Sequence, residues 1–236
     1  MRIAFFGGTF DPPHRGHITA AYAAIERLGL DRVLLAPVAA QPLKGNGAHA
    51  SFQDRLAMVR LAVQGDPRLL ASSADSPRPG GKPNYTLDTL KELRRSLSPD
   101  DQLFFLLGAD ALLSLKRWHR AGELLLFCDF IVASRPGFSL DRISEALPEG
   151  VQQSACCHAR EFIRIDLEGT GGGRSALYVI PDLEEDISAT EVRAALAEGA
   201  EAQTVLAPEV ARYIRAHHLY QDHEPGIRDQ EPGIRL

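Results

Sequence analysis

The chain has 236 residues, of which 44% are hydrophobic and 24% charged. This length fits one domain, or one domain with an insertion, with enough apolar residues for its own hydrophobic core. The formal net charge of −5 argues against nucleic acid as a partner, because a phosphate backbone binds best to a basic surface.

In chain order, the sequence predicts alternating strands and helices. Short apolar runs predict strands, and apolar residues at helical spacing predict helices. The predicted strands are 3–6, 32–37, 69–72, 102–107, 130–133 and 176–180. The predicted helices are 18–28, 52–63, 86–97, 109–115, 123–127, 189–198 and 209–217. Ser51 is well placed as the N-cap of the second helix.

This alternation predicts a Rossmann-like α/β fold, an open and mostly parallel sheet with helices on both faces. Ligands bind such sheets beyond the carboxyl ends of the strands. Three predicted strands end in loops of this kind, at Gly7–Gly8, Gly108–Asp110 and Ser134–Pro136. We therefore expect these three loops to meet in one cleft.

Two stretches interrupt the pattern. Residues 76–83 are rich in Pro and Gly and predict an exposed loop, and residues 169–174 predict a flexible loop. We predict a single domain over residues 1–220, with an insertion at 151–175 as one reading. A flexible tail over 221–236 follows, in which the sequence EPGIR occurs twice.

The sequence also predicts where in the cell the protein is found. No apolar run approaches the length of a membrane span, and the first residues lead directly into a strand, so we expect neither a membrane partner nor a secretory signal. The odd count of three cysteines fits a reducing compartment, and hence the cytoplasm. A metal role for Cys156, Cys157 and His158 is one reading, and thiols in or near a variable loop are the favoured one.

The most informative segment is GTFDPPHRGH, Gly8 to His17, directly after the first strand. Glycine lets the backbone approach a ligand closely, and the first amides of the following helix are donors at the positive end of its dipole. His14 and His17 add imidazole donors on the same side. Zinc is a less favoured ligand, since no third ligand lies nearby and helical pairs usually stand at i, i+4. A turn with a purely structural role is less favoured than a zinc site.

The chain resembles the bacterial nicotinate-nucleotide adenylyltransferases, within the nucleotidyltransferases that share an HxGH signature. The segment Gly7–His17 matches the phosphate-binding segment of that group. Four further segments match in the family's order and spacing. They are 85–90 (YTLDTL), 107–110 (LGAD), 115–120 (LKRWHR) and 187–193 (ISATEVR). The match runs from residue 2 to residue 217.

The resemblance implies an enzyme of NAD biosynthesis that joins nicotinate mononucleotide and ATP into deamido-NAD and pyrophosphate. The mononucleotide phosphate, already ionised near neutral pH, attacks the α-phosphorus of ATP in line. Catalysis then rests on positioning and on charge stabilisation, without a strong general base. Mg²⁺ is expected to travel with ATP, held mostly by phosphates and water, so we predict no metal ligands in the chain.

The resemblance also implies residues for the phosphates. The expected catalytic residues are His14, His17, Lys44 and Arg193. The expected residues for ATP and its phosphates are Gly8, Thr9, Phe10, His14, His17, Gly108, Asp110, Arg135, Ile187, Ser188 and Arg193. His17 would donate to the α-phosphate, and His14 to the same phosphates or to the leaving pyrophosphate. Ser188 and Arg193 would bind the β- and γ-phosphates.

Some of these residues also have a second, structural interpretation. Lys44 lies in QPLK, which departs from the family's PPHK, and it also reads as a solvated loop lysine. Asp110 would contact a ribose hydroxyl or orient a loop, and it also reads as a carboxylate at a helix N-terminus. Ser188 with Glu191 reads as a capping motif, which is compatible with phosphate binding. Ala189 stands where the family has a second serine.

The implied residues for the mononucleotide are Gly7, Lys44, Tyr85, Thr86, Trp118 and His119. Trp118 is the only tryptophan and reads as a core residue from composition alone. Within its matched segment it would stack on the pyridine ring. Thr86 and the backbone around His119 would bind the nicotinate carboxylate, and N–H donors favour an acid over an amide.

Three other functions stay open at this point. One is an HxGH enzyme acting on another phosphate, such as phosphopantetheine, which the segments 85–90 and 115–120 argue against. A second is an adenylyltransferase that prefers the amide nucleotide, which Trp118 and Thr86 argue against. The third is a nucleotide-binding regulator without catalysis, which the intact His14, His17 and Arg193 disfavour. The sequence leaves open whether the protein is a monomer or a homodimer.

Overall fold

The computed structural model describes residues 1–39, 48–134, 137–183, 187–199, 202 and 204–221. These residues form eight strands and eight α-helices, with short 3-10 helices at Pro79–Gly81 and Leu115–Arg117. The strands are β1 (Arg2–Gly8), β2 (Arg32–Pro37), β3 (Leu69–Ala71), β4 (Gln102–Gly108), β5 (Asp129–Ala133), β6 (Val151–His158), β7 (Ile163–Gly169) and β8 (Arg174–Ile180). The helices are α1 (Arg15–Leu28), α2 (Phe52–Val63), α3 (Thr86–Ser96), α4 (Ala109–Ser114), α5 (Ala121–Phe127), α6 (Asp141–Ala146), α7 (Ala189–Ala197) and α8 (Pro208–Ala216).

The eight strands form one sheet in the order β3-β2-β1-β4-β5-β8-β7-β6. Six strands are parallel, and only the pairings of β7 with β6 and with β8 are antiparallel. The chain runs outward from β1 to β3 and then returns to place β4 on the other side of β1. The predicted open, mostly parallel sheet is confirmed, and its strand order reverses between β1 and β4, where such sheets bind ligands.

Helices cover both faces, because alternate residues of the central strands point to opposite sides. On one face Phe5 and Phe105 pack in a cluster with Leu87 and Leu90 of α3. On the other face Phe6 packs in a second cluster with residues of α1 and α2. A third, smaller cluster joins α2 to α7 and α8.

Every predicted strand and helix has a counterpart within three residues at each end. Ser51 accepts a hydrogen bond from the Asp54 N–H, which confirms the predicted N-cap. Three further elements, α6, β6 and β7, were not predicted from the sequence. Residues 169–174, expected as a flexible loop, make the turn between β7 and β8, where the Gly169 N–H donates to the Gly173 carbonyl at 2.9 Å.

Cys156 and Cys157, predicted in or near a variable loop, lie exposed near the end of the edge strand β6. None of the helices in the described part of the chain has both the length and the apolar character that a membrane crossing requires. The repeated EPGIR sequence lies outside the described residues.

Candidate functional site

The carboxyl ends of β1, β4 and β5, after which the three loops were predicted, lie side by side, because these are neighbouring parallel strands. Phe6 of β1 is in register with Leu106 of β4, and Gly108 of β4 with Ala133 of β5. A side chain at Gly108 would meet nothing within 4 Å, so the backbone there borders open space. The ends of these strands form the floor of the candidate site.

The other residues predicted for this part of the site differ in how far they are exposed to solvent. Asp110 is exposed in the first turn of α4. Ser134, which follows β5, is buried and donates its hydroxyl to the Ile180 carbonyl at 3.0 Å. Arg135 and Lys44 lie outside the described residues.

The phosphate loop, which we define as residues 7–14, is closely packed at its start. A Cβ atom at Gly7 would lie 3.2 Å from Cε1 of Phe5, and one at Gly8 would lie 3.1 Å from the Phe10 ring. Phe10 is buried and has a positive φ of 48°. The Thr9 carbonyl accepts a hydrogen bond at 2.8 Å from the buried Arg55. The glycines thus let the loop turn sharply above a buried aromatic ring.

His14 and His17 lie together at the start of α1. His14 is the N-cap, and the two ring centroids are 3.7 Å apart. The His14 N–H donates to Nδ1 of His17 at 3.2 Å, so in neutral His17 the proton is on Nε2. Burial and the neighbouring His14 hold the pKa of His17 well below its ordinary 6.5. His17 is therefore a neutral N–H donor at physiological pH.

Helix α7 brings Arg193 to the phosphate loop. The Arg193 guanidinium donates to the Asp11 carbonyl at 2.7 Å and to the Thr190 hydroxyl at 3.3 Å. Ser188 caps the helix by accepting from the Thr190 N–H at 3.3 Å, which confirms Ser188 as its N-cap. Ile187 packs against the third apolar cluster, which fixes the entry into the helix.

Two of the segments predicted for the mononucleotide, residues 85–86 and 118–119, meet at the start of α3. Tyr85 is the N-cap of this helix, and its ring stacks on His119 with centroids 3.9 Å apart. Thr86 is the first helical residue. Trp118 is half-buried, packs edge-on to Phe105 at 6.2 Å and donates its indole N–H to Ser114 at 3.0 Å. Its indole thus rests on the core while part of its surface stays accessible.

Sequence reasoning missed the buried polar residues beneath the phosphate loop. Arg55 is 1% exposed and donates to the carbonyls of Thr9 and Val38, both at 2.8 Å, and of Ala50 at 3.2 Å. Burial lowers the pKa of its guanidinium, and the nearby Asp11 opposes this effect. A signal was present, since Arg55 interrupts the apolar face of a predicted helix.

A second buried polar group lies behind the mononucleotide residues. Asp75 accepts hydrogen bonds from the Asn84 amide at 3.0 Å and from the Thr89 hydroxyl at 2.8 Å. All three side chains are buried, and burial raises the pKa of Asp75. Asp75 therefore fixes the segment that enters α3, directly before Tyr85.

The chain is similar to known proteins over most of its length. Residues 5–195 match the cytidylyltransferase-like family. A nicotinate-nucleotide adenylyltransferase of Pseudomonas paraeruginosa is 40% identical over 220 residues, which cover 93% of this chain and 97% of that protein. One of Geotalea daltonii is 33% identical over 222 residues, covering 94% and 99%.

A solved structure shares the fold. It is the Plasmodium falciparum nicotinic acid mononucleotide adenylyltransferase complexed with NaAD, with a TM-score of 0.67 and 18% identity. The similarity covers 93% of this chain and 97% of that one. At this identity the likeness supports the architecture of the sheet.

Proposed function

The chain belongs to the cytidylyltransferase-like family and, within it, to the nicotinate-nucleotide adenylyltransferases, and on this premise we infer its reaction. It transfers the AMP part of ATP to the phosphate of nicotinate mononucleotide, forming deamido-NAD and releasing pyrophosphate. This is a step of NAD biosynthesis. The observation that carries the inference is the pair His14 and His17 at the start of α1, with Arg193 held against the same loop.

His17 contributes a fixed, neutral hydrogen-bond donor. Its Nδ1 is occupied by the His14 N–H, so its Nε2–H is the group available to an α-phosphate oxygen. Negative charge builds up on that oxygen as the mononucleotide phosphate attacks, and a donor already in place stabilises it without reorganisation. The bond between the α-phosphorus and the leaving pyrophosphate then breaks, and no proton has to be removed from the attacking phosphate.

Arg193 and Ser188 bind the two phosphates that leave as pyrophosphate. Two of the Arg193 nitrogens already bond to Asp11 and Thr190, which orients the guanidinium toward the loop and fixes its position. A guanidinium suits a forked contact with phosphate oxygens. Lys44 and Arg135 belong to this proposal through the family resemblance alone.

The mononucleotide lies on the other side of the cleft. Trp118 offers an aromatic face, and the start of α3 at Thr86 offers backbone N–H groups and a hydroxyl to a carboxylate. The stacked pair Tyr85 and His119 joins the two segments that carry these groups. Donors without a matching acceptor favour the acid over the amide, because the amide would leave its own N–H groups unpaired.

Nucleotidyltransferases generally use a divalent metal ion with their nucleotide, and we propose Mg²⁺ here. Within the described ranges, no group of three or more His, Cys, Asp or Glu side chains is placed to hold a metal ion. The buried Asp11 carboxylate is committed to protein donors. This donor set fits an ion that is held mainly by the phosphates and water. When bound, the ion screens the charge of the phosphates.

The proposal includes a cytoplasmic location, which the three unpaired cysteines support.

The test is the release of pyrophosphate from ATP, with nicotinate mononucleotide and nicotinamide mononucleotide compared side by side. We expect release with the acid and a much lower kcat/KM with the amide. Equal rates would retain the phosphate chemistry and overturn the specificity assigned to Thr86 and Trp118. No release with either nucleotide would overturn the proposed function, and phosphopantetheine would then be the next acceptor to test.

A further inference from the structure

The phosphate loop contains one buried carboxylate, that of Asp11, which anchors it to neighbouring segments. Asp11 is 1% exposed, so its charge needs several donors. It accepts from the His49 N–H at 2.7 Å, from the Ala50 N–H at 3.1 Å and from the Tyr220 hydroxyl at 2.7 Å. The two amides belong to the segment just before α2. The third donor comes from the far end of the described chain, after α8.

The Tyr220 donor is held in an unusual backbone conformation. Its φ is 62°, in the left-handed region that bulky side chains rarely adopt. Such a conformation persists where the surroundings determine it, and it is often found where a side chain has a function. Here Tyr220 packs against the third apolar cluster, and its hydroxyl meets Asp11.

The hydroxyl of Tyr220 stays protonated. Burial and the neighbouring Asp11 carboxylate raise the pKa of this phenol. The group is therefore a permanent donor, which a buried carboxylate requires. The same residue, Asp11, offers its backbone carbonyl to Arg193. Tyr220, Asp11 and Arg193 thus form one chain of contacts that leads from the C-terminal segment to the phosphate side of the site.

Building on the proposed function, we propose that Tyr220 is a positioning residue for adenylyl transfer, which acts through Asp11 to hold the phosphate loop in its reactive geometry. Tyr220 itself does not touch the substrates. Loss of the hydroxyl leaves Asp11 with the two backbone donors and the exposed His49 imidazole, whose Nδ1 lies 3.4 Å from the carboxylate, and lets the loop and Arg193 shift. Small displacements of in-line groups cost rate more than affinity, because the alignment matters most in the transition state.

Tyr220→Phe tests the proposal, and Tyr213→Phe is the matched control. Tyr213 lies on α8 and also donates its hydroxyl to a carboxylate, Asp54, at 3.0 Å, but Asp54 is not in the phosphate loop. We expect Tyr220→Phe to lower kcat about tenfold with little change in KM for either substrate, the effect of misalignment. Tyr213→Phe should leave kcat within about twofold, since it lies outside the chain of contacts. Equal effects of the two variants on kcat would overturn the proposal.

Hydrogen exchange adds a readout that needs no substrate. In Tyr220→Phe, the amides of residues 8–11, of residues 14–17 and of Ala50 should exchange faster than in the wild type, and in Tyr213→Phe they should not. Unchanged exchange in Tyr220→Phe would overturn the proposal, whatever the turnover. A wild-type protein without turnover would instead overturn the proposed function, and the exchange comparison would still test the role of Tyr220.

Discussion

His17 illustrates how a single side chain is prepared by its neighbours. Its Nδ1 is fixed by the His14 N–H, and burial keeps its ring neutral. We predict that His17→Ala lowers kcat by on the order of 10²-fold or more, the usual cost of losing a preorganised donor to a developing charge. Steady-state turnover with saturating ATP and mononucleotide measures the effect.

The control for this variant is His158→Ala, because His158 lies exposed on β6 and outside the site. It should keep the wild-type kcat. Since the pKa of His17 is lowered, kcat should not rise as the pH falls from about 9 to about 7. A rise in that range would mean that His17 acts as an imidazolium, and a normal kcat in His17→Ala would remove it from the chemistry.

The entry into α3 depends on the buried carboxyl of Asp75, whose pKa is raised above its ordinary 3.8 by burial. In the unfolded chain the group ionises at the ordinary value. Between the two values the folded state therefore holds more protons, and the free energy of unfolding falls as the pH rises. We predict that Asp75→Asn flattens this fall, so that its stability relative to the wild type is higher at about pH 7 than at about pH 4.

Urea unfolding at several pH values measures this difference. Asparagine keeps an oxygen that can accept from Asn84 and Thr89, whereas Asp75→Ala removes the acceptor. The alanine variant should lose about 1–3 kcal/mol of stability, the cost of leaving buried polar groups unpaired. A parallel pH dependence in wild type and Asp75→Asn would show that Asp75 ionises as in the unfolded chain.

The elements that the sequence could predict are those with a strong local pattern. β1, β2 and β4 are largely buried apolar runs, and a helix follows each of them. Seven of the eight residues of β6 are exposed. The strand therefore lacks the buried apolar residues by which a strand is predicted from sequence. It exists because β7 pairs with it, and β7 in turn pairs with β8. Pairing between strands is not encoded in a local pattern.

The same distinction separates the site residues that were predicted from those that were missed. His14 and His17 stand in one short motif, so the sequence places them together. Asp11 and Tyr220 are 209 residues apart, and only the packing of α8 against α2 brings them within hydrogen-bonding distance. Asp11 lies inside the motif, but the sequence of the motif does not indicate that the Asp11 carboxylate faces the protein interior.

The proposed site as a whole draws on segments from Gly7 to Arg193, so we expect a bound substrate to connect elements across the molecule. Each substrate that binds only the folded chain raises its stability, by about 2.7 kcal/mol at a concentration of 100 times Kd. We predict that Trp118→Ala loses most of the rise in Tm caused by nicotinate mononucleotide and retains the rise caused by ATP. Thermal unfolding with each substrate alone measures both shifts.

Two variants separate stacking from packing in this experiment. Trp118→Phe retains an aromatic face and should retain part of the shift with the mononucleotide. Ser114→Ala removes the partner of the indole N–H and leaves the ring in place, so the shifts with both substrates should persist. Equal losses of the two shifts in Trp118→Ala would instead mean that the indole supports the core through Phe105, and that the pyridine ring lies elsewhere.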